Sequence, residues 1–323
     1  MIIISLKVLN LVLRFISYGV IKLKQKRFLG LLIVLIISTL VSFIALNPID
    51  RFETRAARPW MKEVSDDYLI KQMSIPGTHD SGATHSIFDV AGKCQDLRIQ
   101  SQLNIGVRFF DLRLQLKNDE LEIVHSFVNQ KLYFADVINA MIDFVKEYDS
   151  EFLIISLKEE ASSLNSTKSF EDVLASYLKD EVFDKSNFLP QTLKDARGKI
   201  YILSRMDSEY GIQAYNGWQD STTFMLDDLY IQDNYSIDEI EIKKEDIIKT
   251  IEFSKTNTNY LVINFTSCYL NNAFPPTYAG TAALEINPWF NEYISNNNDS
   301  LGIVVMDFIS QDLAQVIYRR NIR

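Results

Sequence analysis

The sequence predicts an α/β protein, an irregular (β/α)8 barrel of the TIM type preceded by an N-terminal transmembrane helix. Short runs rich in β-branched and aromatic residues alternate with segments of helical periodicity, which is typical of a parallel sheet. Most of these runs end in polar side chains, as strands do at the functional rim of a barrel. An uncharged stretch near the N-terminus is long enough to cross a bilayer.

The predicted transmembrane helix covers residues 28–46, which are nineteen residues without a charge. About 20 such residues span the hydrocarbon core of a bilayer. Residues 1–27 are basic and partly apolar, which predicts a cytoplasmic N-terminus and an extracytoplasmic remainder. Signal cleavage followed by secretion is the alternative, but neither Ala45 nor Ala57 has a small residue two positions before it. We therefore predict an uncleaved signal-anchor and a single-pass protein of the cell membrane.

A polar linker over residues 47–59 leads to the predicted barrel domain, residues 60–323. The chain has a net charge of −9 and its first 49 residues contain six basic residues and no acidic one, so the remainder is near −15. A domain this acidic lacks the basic surface of a nucleic-acid-binding protein. The two cysteines, Cys94 and Cys268, have no metal-site spacing. We expect two free, buried thiols, although the sequence leaves their pairing open.

Eight β-rich runs follow one another along the barrel domain. They cover residues 71–75, 108–114, 121–125, 152–157, 200–203, 230–232, 260–265 and 302–306. Helical periodicity lies between several of them, over residues 133–148, 170–178, 236–253 and 284–295. Eight alternating strands predict a closed or nearly closed barrel. The link at residues 115–120 is too short for a helix, which predicts a hairpin and a local irregularity there.

Seven of the eight runs are followed by side chains that can take part in chemistry. They are His79 with Asp80, Asp111 with Arg113, His125, Lys158, Arg205, Asp233 with Tyr235, and Asp307. The chain contains three histidines, and two of them, His79 and His125, stand at the ends of β-rich runs. Histidine exchanges its proton near neutral pH, so this pair suggests an acid and a base acting on one substrate.

The stretch MSIPGTHDSG, followed by IGVRFFDLRL and IVHSF, closely resembles the catalytic half of bacterial phosphatidylinositol-specific phospholipases C, the X-domain family. The similarity continues in order through IISLKEE, DARGKIYILSR, YIQDNYS, YLVINFTS and VVMDFI, and so extends from about Trp60 to the C-terminus. This resemblance implies a phosphatidylinositol diacylglycerol-lyase. Such an enzyme cleaves the glycerol–phosphate ester bond and releases diacylglycerol and a 1,2-cyclic inositol phosphate.

The resemblance also implies a role for each catalytic position. His79 would be the general base that takes the proton from the inositol 2-hydroxyl, and Asp307 would orient it. His125 would protonate the leaving diacylglycerol oxygen, with Asp80 as its acidic partner. Arg113 would bind the phosphate oxygens and stabilise their developing charge.

The resemblance implies that Lys158, Arg205 and Asp233 would hold inositol hydroxyls and that Tyr235 would lie against the sugar ring. The chain departs from the family in three places. Ser126 stands where the family commonly has a glycine, and the segment after His79 lacks the tryptophans that secreted members use for membrane contact. Two glutamates, residues 159 and 160, follow Lys158. These departures leave the substrate preference open, between free and glycosylated inositol lipids.

The chemistry that the resemblance implies suits these residue types. Attack on a phosphodiester by a neighbouring hydroxyl needs an acid and a base on opposite sides of phosphorus and a cation on the non-bridging oxygens. An arginine such as Arg113 can meet two of those oxygens at once. Calcium-dependent relatives place a metal ion where this guanidinium charge would sit, and near Asp111 the second and third strand motifs show no clustered carboxylates for a calcium cage. We therefore predict no metal and no other cofactor.

Two other readings of the sequence remain. One is a different barrel phosphodiesterase, acting on glycerophosphodiesters, sphingolipids or glycosylated inositol lipids. The other is a non-catalytic barrel that binds lipid head groups, although the presence of both His79 and His125 speaks against it. The predicted partners are an inositol lipid and a membrane. We expect neither a nucleic acid nor an obligate protein partner.

Overall fold

The computed structural model describes residues 55–85, 92–126, 128–271, 279–297 and 299–322. They belong to one compact unit, Asp50–Arg323. The predicted cytoplasmic segment, the signal-anchor and most of the linker lie outside the described residues. Within the described part of the chain, no helix combines the length and the apolar character needed to cross a membrane.

The described residues form fourteen strands, most of them short. In chain order they are β1 (Ile75–Thr78), β2 (Phe109–Lys117), β3 (Glu120–His125), β4 (Val128–Tyr133), β5 (Leu153–Leu164), β6 (Phe183–Asp184), β7 (Ile200–Ser204), β8 (Ile212–Gln213), β9 (Thr223–Leu226), β10 (Leu229–Gln232), β11 (Ser236–Ile237), β12 (Leu261–Phe265), β13 (Tyr269–Leu270) and β14 (Ile303–Met306). Twelve of them belong to one sheet, and β11 and β13 form a separate parallel pair.

Seven parallel strands make up the curled centre of the large sheet, in the order β7-β5-β2-β1-β14-β12-β10. The first and last strands of the domain are neighbours, with Ile75 opposite Ile303 and Thr78 opposite Met306. No ladder joins β7 to β10 among the described residues, since β7 also pairs with β6 and β8, and β10 also pairs with β9. The sheet is therefore a partly open barrel of seven parallel strands, and the prediction of eight was wrong in its count.

The missing eighth strand is the predicted run at residues 121–125. It forms β3, which pairs antiparallel with β2, with Leu114 opposite Ile123 and Lys117 opposite Glu120. The hairpin continues into β4, which pairs antiparallel with β3. The predicted hairpin at residues 115–120 is thus confirmed. A connection this short reverses the chain, so the strand that follows it cannot be a parallel member of the barrel.

The first predicted strand was placed too early. Residues 70–72 form a short 3₁₀ turn, and β1 begins only at Ile75. Pro76 and Gly77 lie inside this strand, where either residue ordinarily indicates a break. Pro76 has no backbone N–H to donate, but its carbonyl oxygen still accepts a hydrogen bond from the backbone N–H of Arg108 at 2.9 Å.

The described residues also form seven helices. They are α1 (Ile99–Ile105), α2 (Phe134–Glu147), α3 (Phe170–Tyr177), α4 (Leu193–Ala196), α5 (Ile240–Thr256), α6 (Ala279–Ser295) and α7 (Gln311–Tyr318). Short 3₁₀ turns lie at Trp60–Glu63, Ile70–Gln72, Tyr215–Gly217 and Arg319–Asn321. The four helical segments predicted from periodicity correspond to α2, α3, α5 and α6, so those predictions are confirmed. The helices α1, α4 and α7 were not predicted.

Alternate residues of the barrel strands belong to two separate apolar clusters. In β14, Ile303 and Val305 belong to one cluster, and Val304 and Met306 belong to the other, which also contains the apolar faces of α2, α5, α6 and α7. The first cluster therefore fills the inside of the barrel, and the second joins the barrel to its helices. This alternation determines which side chains point towards the barrel axis.

Candidate active site

The inward-facing positions of the barrel strands lead directly to the predicted site residues. In β2, Phe109 lies in the inner cluster, so Asp111 and Arg113 share its face. In β14, Ile303 and Val305 lie in the inner cluster, and Asp307 follows with the same period of two. The strands are filled with apolar residues at their amino ends and carry polar residues at their carboxyl ends. Function gathers at that end in barrels of this kind.

A pocket of about 660 Å³ opens at this end of the barrel. Its lining contains every predicted catalytic and substrate-binding residue except Asp80, which is fully buried immediately beneath it. A larger cavity of about 730 Å³ lies between α6, α7 and Lys93 and holds none of these residues. We take the smaller pocket as the candidate active site, because the titratable groups converge there.

His79 is held at both ring nitrogens. Nδ1 lies 2.7 Å from Oδ1 of Asp307, and Nε2 lies 2.8 Å from a terminal nitrogen of Arg113. A guanidinium can only donate, so Nε2 of His79 accepts, and the ring proton of the neutral imidazole is on Nδ1, donated to Asp307. Burial lowers the pKa of His79, but the charge and the hydrogen bond of Asp307 outweigh it, so that the pKa is raised.

Arg113 lies at the centre of three carboxylates. Its guanidinium is 3.2 Å from Asp80, 3.3 Å from Asp111 and 3.5 Å from Glu160. Burial alone lowers the pKa of Arg113, but these carboxylates more than compensate and raise it well above its usual value. The sequence-based expectation covered carboxylates only in the second and third strand motifs, and the two that join Asp111 here come from other segments. They arrive from β5 and from the segment after β1, and the guanidinium occupies the space between them.

His125 reaches the same centre from the β3–β4 hairpin rather than from a barrel strand. Its Nε2 lies 3.5 Å from Oδ2 of Asp80, the carboxylate oxygen that also faces Arg113. Asp80 therefore connects His125 to Arg113, which in turn contacts His79. The backbone φ of Asp80, 44°, lies in the left-handed region, where a non-glycine residue is uncommon.

Ser126, which follows His125, adopts a φ of 51°. Glycine reaches this left-handed conformation without steric cost, whereas a serine does so at some cost. The conformation gives a physical reason for the glycine that the family resemblance places here. The backbone path next to His125 thus suits either residue.

The remaining predicted residues line the same pocket as the histidines. Lys158 lies 2.7 Å from Glu160, so the glutamate does oppose the lysine charge, as the sequence suggested. Arg205 contacts Asp111 at 3.3 Å and Asp233 at 3.8 Å. Its guanidinium also lies 3.7 Å from the ring centre of Trp218, whose Nε1 donates to Asp233 at 3.0 Å. These contacts fix the positions of Arg205 and Asp233 relative to one another.

Tyr235 stands at the mouth of the pocket. Its hydroxyl donates to Asp220 at 2.5 Å, and its ring lies 5.9 Å from that of Tyr269. The hydrogen bond and partial burial raise the pKa of Tyr235 to about 12, so the phenol stays protonated at ordinary pH. The ring offers the flat apolar face that a sugar ring can lie against.

Sequence reasoning missed several pocket residues. Glu160 was noted only for opposing Lys158, yet it also contacts Arg113. Trp218 immediately follows the short turn at Tyr215–Gly217, which carries no strand signal. Cys94 and Cys268 are free, buried thiols in the pocket lining, so the expectation of free thiols is confirmed. Their distance along the chain gave no sign that both reach the site. His85 is not among the residues that line the pocket.

The chain is similar in sequence to known proteins. The family model for the phosphatidylinositol-specific phospholipase C X domain matches residues 73–206. The 1-phosphatidylinositol phosphodiesterase of Listeria monocytogenes is 27% identical over 274 residues, covering 82% of this chain and 85% of the relative. The protein of the same name from Staphylococcus aureus strain Newman is 28% identical over 285 residues, covering 79% of this chain and 89% of the relative.

Solved structures extend the likeness in fold. A variant of the phosphatidylinositol-specific phospholipase C of Staphylococcus aureus superposes with a TM-score of 0.70 at 24% identity, covering 80% of this chain and 96% of that one. The enzyme of the same name from Listeria monocytogenes gives 0.67 at 24% identity, covering 81% and 97%. At this identity the superpositions support the barrel-type fold.

Proposed function

We propose that the chain, which matches the family model for the phosphatidylinositol-specific phospholipase C X domain over residues 73–206, cleaves phosphatidylinositol or a closely related inositol lipid. The observation that carries the proposal is the arrangement of two histidines around one arginine. His79 contacts Arg113 directly, and His125 reaches the same guanidinium through Asp80. An acid and a base thus flank a cation, as phosphodiester cleavage by an internal hydroxyl requires.

In the proposed reaction, Nε2 of His79 takes the proton of the inositol 2-hydroxyl, whose oxygen attacks phosphorus. The ring proton on Nδ1 stays with Asp307, which stabilises the imidazolium that forms. Arg113 moves its donors from His79 to the non-bridging phosphate oxygens. His125 then gives a proton to the diacylglycerol oxygen, so the P–O bond to glycerol breaks as the ring P–O bond forms. The products are diacylglycerol and the 1,2-cyclic phosphate.

The internal attack removes much of the entropic cost of bringing a nucleophile to phosphorus. The acid and the base each contribute roughly 10²–10⁴-fold in rate. We assign inositol binding to Lys158, Arg205 and Asp233, with Tyr235 against the sugar ring. The pocket lining supports this assignment, because these four side chains line the same pocket as the two histidines.

Vesicle assays test the proposed activity. Purified full-length protein should release diacylglycerol from phosphatidylinositol vesicles and not from phosphatidylcholine vesicles, in the presence of excess chelator. The variants His79→Ala and His125→Ala should each lose most of this release. Equal release from both lipids, or release that requires an added divalent metal, would contradict the proposal.

We also propose that residues 28–46 anchor the protein in the cell membrane with the barrel outside the cytoplasm. The nineteen uncharged residues and the basic segment before them support this topology. An anchor gives proximity to lipid that the acidic barrel domain cannot obtain by charge. N-terminal sequencing of the mature protein from membrane and medium fractions tests it. A released form that begins between residues 45 and 60 would show signal cleavage instead.

A further inference from the structure

Cys94 lies within the candidate active site, although no step of the proposed reaction uses a thiol. Its side chain is fully buried and takes part in two close groups of possible metal ligands. In one group it meets His79 and Asp307, and in the other it meets Asp80 and His125, with all ligand atoms of each group within 4.8 Å of one another. A thiol, an imidazole and a carboxylate are the side chains that bind Zn²⁺ in proteins.

The two groups differ in how far their donor atoms are already engaged. Both ring nitrogens of His79 have partners, and Asp307 accepts the hydrogen bond from one of them. In the other group, Oδ1 of the fully buried Asp80 and Nδ1 of His125 lack a hydrogen-bond partner, whereas Oδ2 of Asp80 is ion-paired with Arg113 at 3.2 Å. A buried carboxylate oxygen with no donor is costly and is usually satisfied by a polar group or an ion.

We propose that Asp80, Cys94 and His125 form an inhibitory site for a thiophilic divalent cation such as Zn²⁺. Atoms that bind zinc at ~2.0–2.3 Å can be no more than about 4.6 Å apart, so small side-chain adjustments bring these three residues to one ion. Three protein ligands leave the fourth position for water or a phosphate oxygen. The inhibition, though not the binding, rests on the proposed function, since zinc on His125 prevents it from protonating the leaving group.

The guanidinium of Arg113 lies beside this site, and its charge opposes a second cation. It already contacts Asp80, Asp111 and Glu160, so three carboxylates surround one positive charge. Two of these carboxylates have a second cation, because Asp111 also pairs with Arg205 at 3.3 Å and Glu160 with Lys158 at 2.7 Å. The charge of a bound zinc ion would therefore be balanced mainly by Asp80 and by the thiolate that Cys94 forms on binding. Burial raises the pKa of the Cys94 thiol well above its usual value, so zinc must displace a proton to bind the sulfur.

Calorimetric titration of the metal-free, full-length protein with zinc chloride tests the binding. We expect one tightly bound zinc ion in the wild-type protein and at least tenfold weaker binding in Cys94→Ala and Cys94→Ser. Cys268→Ala is the matched control, because it removes the other pocket thiol and should leave zinc binding unchanged. His125→Ala should weaken binding and His79→Ala should not. The circular dichroism of every variant confirms its folding.

Cobalt(II) in place of zinc gives a second readout. Wild-type protein should show a sulfur-to-cobalt charge-transfer band that is absent from Cys94→Ala and present in Cys268→Ala. In vesicle assays, zinc should inhibit the wild-type protein at least tenfold more strongly than Cys94→Ser, each relative to its own zinc-free rate.

Three results would overturn the site: unchanged zinc binding in both Cys94 variants, loss of binding in His79→Ala rather than His125→Ala, or equal inhibition of wild-type protein and Cys94→Ser. The site and the proposed function fail separately. Zinc binding through Cys94 in a protein without phospholipase activity would contradict the proposed function and leave the zinc site supported. Phospholipase activity in a protein that binds no zinc would contradict the zinc site and leave the proposed function supported.

Discussion

The Nε2 atom of His79 lies 2.8 Å from a terminal nitrogen of Arg113. The histidine Nε2 is the atom that must accept a proton if His79 is the base. In the free protein its lone pair is therefore occupied by a cation, and a bound phosphate would draw that cation away. Substrate binding would thus uncover the base and engage the arginine in one rearrangement.

The first prediction concerns the pKa of His79. Apart from burial, Asp307 raises this pKa and Arg113 lowers it. Asp307→Asn should therefore lower the pKa, and Arg113→Ala should raise it. NMR titration of the imidazole protons measures both shifts without any need for turnover. Shifts in the same direction for the two variants would contradict the geometry.

The pH dependence of turnover provides a linked prediction. The base must be unprotonated, so the rate rises with pH through the pKa of His79. Because Asp307→Asn lowers that pKa, the rising limb of kcat/KM should move to lower pH while the maximal rate falls. An unmoved limb would mean that another group controls it.

A third prediction separates the two histidines. His79→Ala should nearly abolish turnover of every substrate, because the attacking hydroxyl always needs deprotonation. His125→Ala should lose much less when diacylglycerol is replaced by a nitrophenol, which leaves without being protonated. Comparing the rates of both variants on both substrates measures this. Equal rescue of the two variants would refute the division of roles.

His85 supplies the control for these variants. It does not line the pocket, and its backbone nitrogen donates to Gln130 at 2.8 Å, a bond that alanine preserves. His85→Ala should keep near-normal rates on both substrates. A large loss of rate in His85→Ala would contradict the assignment of the active site to the pocket that contains His79 and His125.

A fourth prediction concerns Arg113. Arg113→Ala should lower kcat about 10²–10³-fold, the effect of losing a preorganised donor to a developing anion. Arg113→Lys retains the charge but loses the two-pronged contact, so it should recover only part of the rate. Wild-type activity should survive excess chelator. Activity that disappeared in chelator and returned with calcium would show that a metal ion supplies the charge.

A fifth prediction concerns Lys243, a fully buried lysine on α5. Its Nζ donates to the side chain of Gln232 at 2.9 Å and to the carbonyl of Asn234 at 2.7 Å, the two neighbours of Asp233. Burial lowers its pKa from 10.5 to about 8. Between about pH 8 and pH 10.5 the lysine is protonated in the unfolded chain but largely neutral in the folded protein. The contribution of Lys243 to the free energy of unfolding therefore rises with pH over this range.

Urea unfolding of wild-type protein and Lys243→Met measures this contribution. The stability of the wild type relative to the variant should increase between about pH 8 and pH 10.5, by up to ~1.4 kcal/mol per pH unit, and be flat below pH 8. The difference between the two proteins cancels other titrating groups. A difference that falls over this range would mean that the lysine is not held in a buried, neutralising environment.

The parts of the fold carried by periodicity were predictable. The helices α2, α3, α5 and α6 have apolar residues on one face and were placed from the sequence. The short helix α1 and the strand β1 were not, because tertiary packing determines both. Pro76 and Gly77 indicate a break, yet β1 lies between β2 and β14 and is held there by its neighbours.

The same contrast holds for the site. Asp111, Arg113 and Asp307 follow the alternation of their strands, so a pattern of two residues places them at the pocket. His125 could be identified as a candidate, but its position depends on a hairpin outside the barrel. The roles of Glu160, Trp218 and Cys94 depend on contacts between distant segments, which no local pattern records.

Phosphorus NMR of the products tests the central claim most directly. Purified protein should convert phosphatidylinositol vesicles, in excess chelator, to a five-membered cyclic inositol phosphate as the first phosphorus-containing product. His79→Ala should form none of it. A first product that is an acyclic inositol phosphate would show attack by water instead of the 2-hydroxyl. That result would contradict the proposed role of His79 as the base for an internal nucleophile.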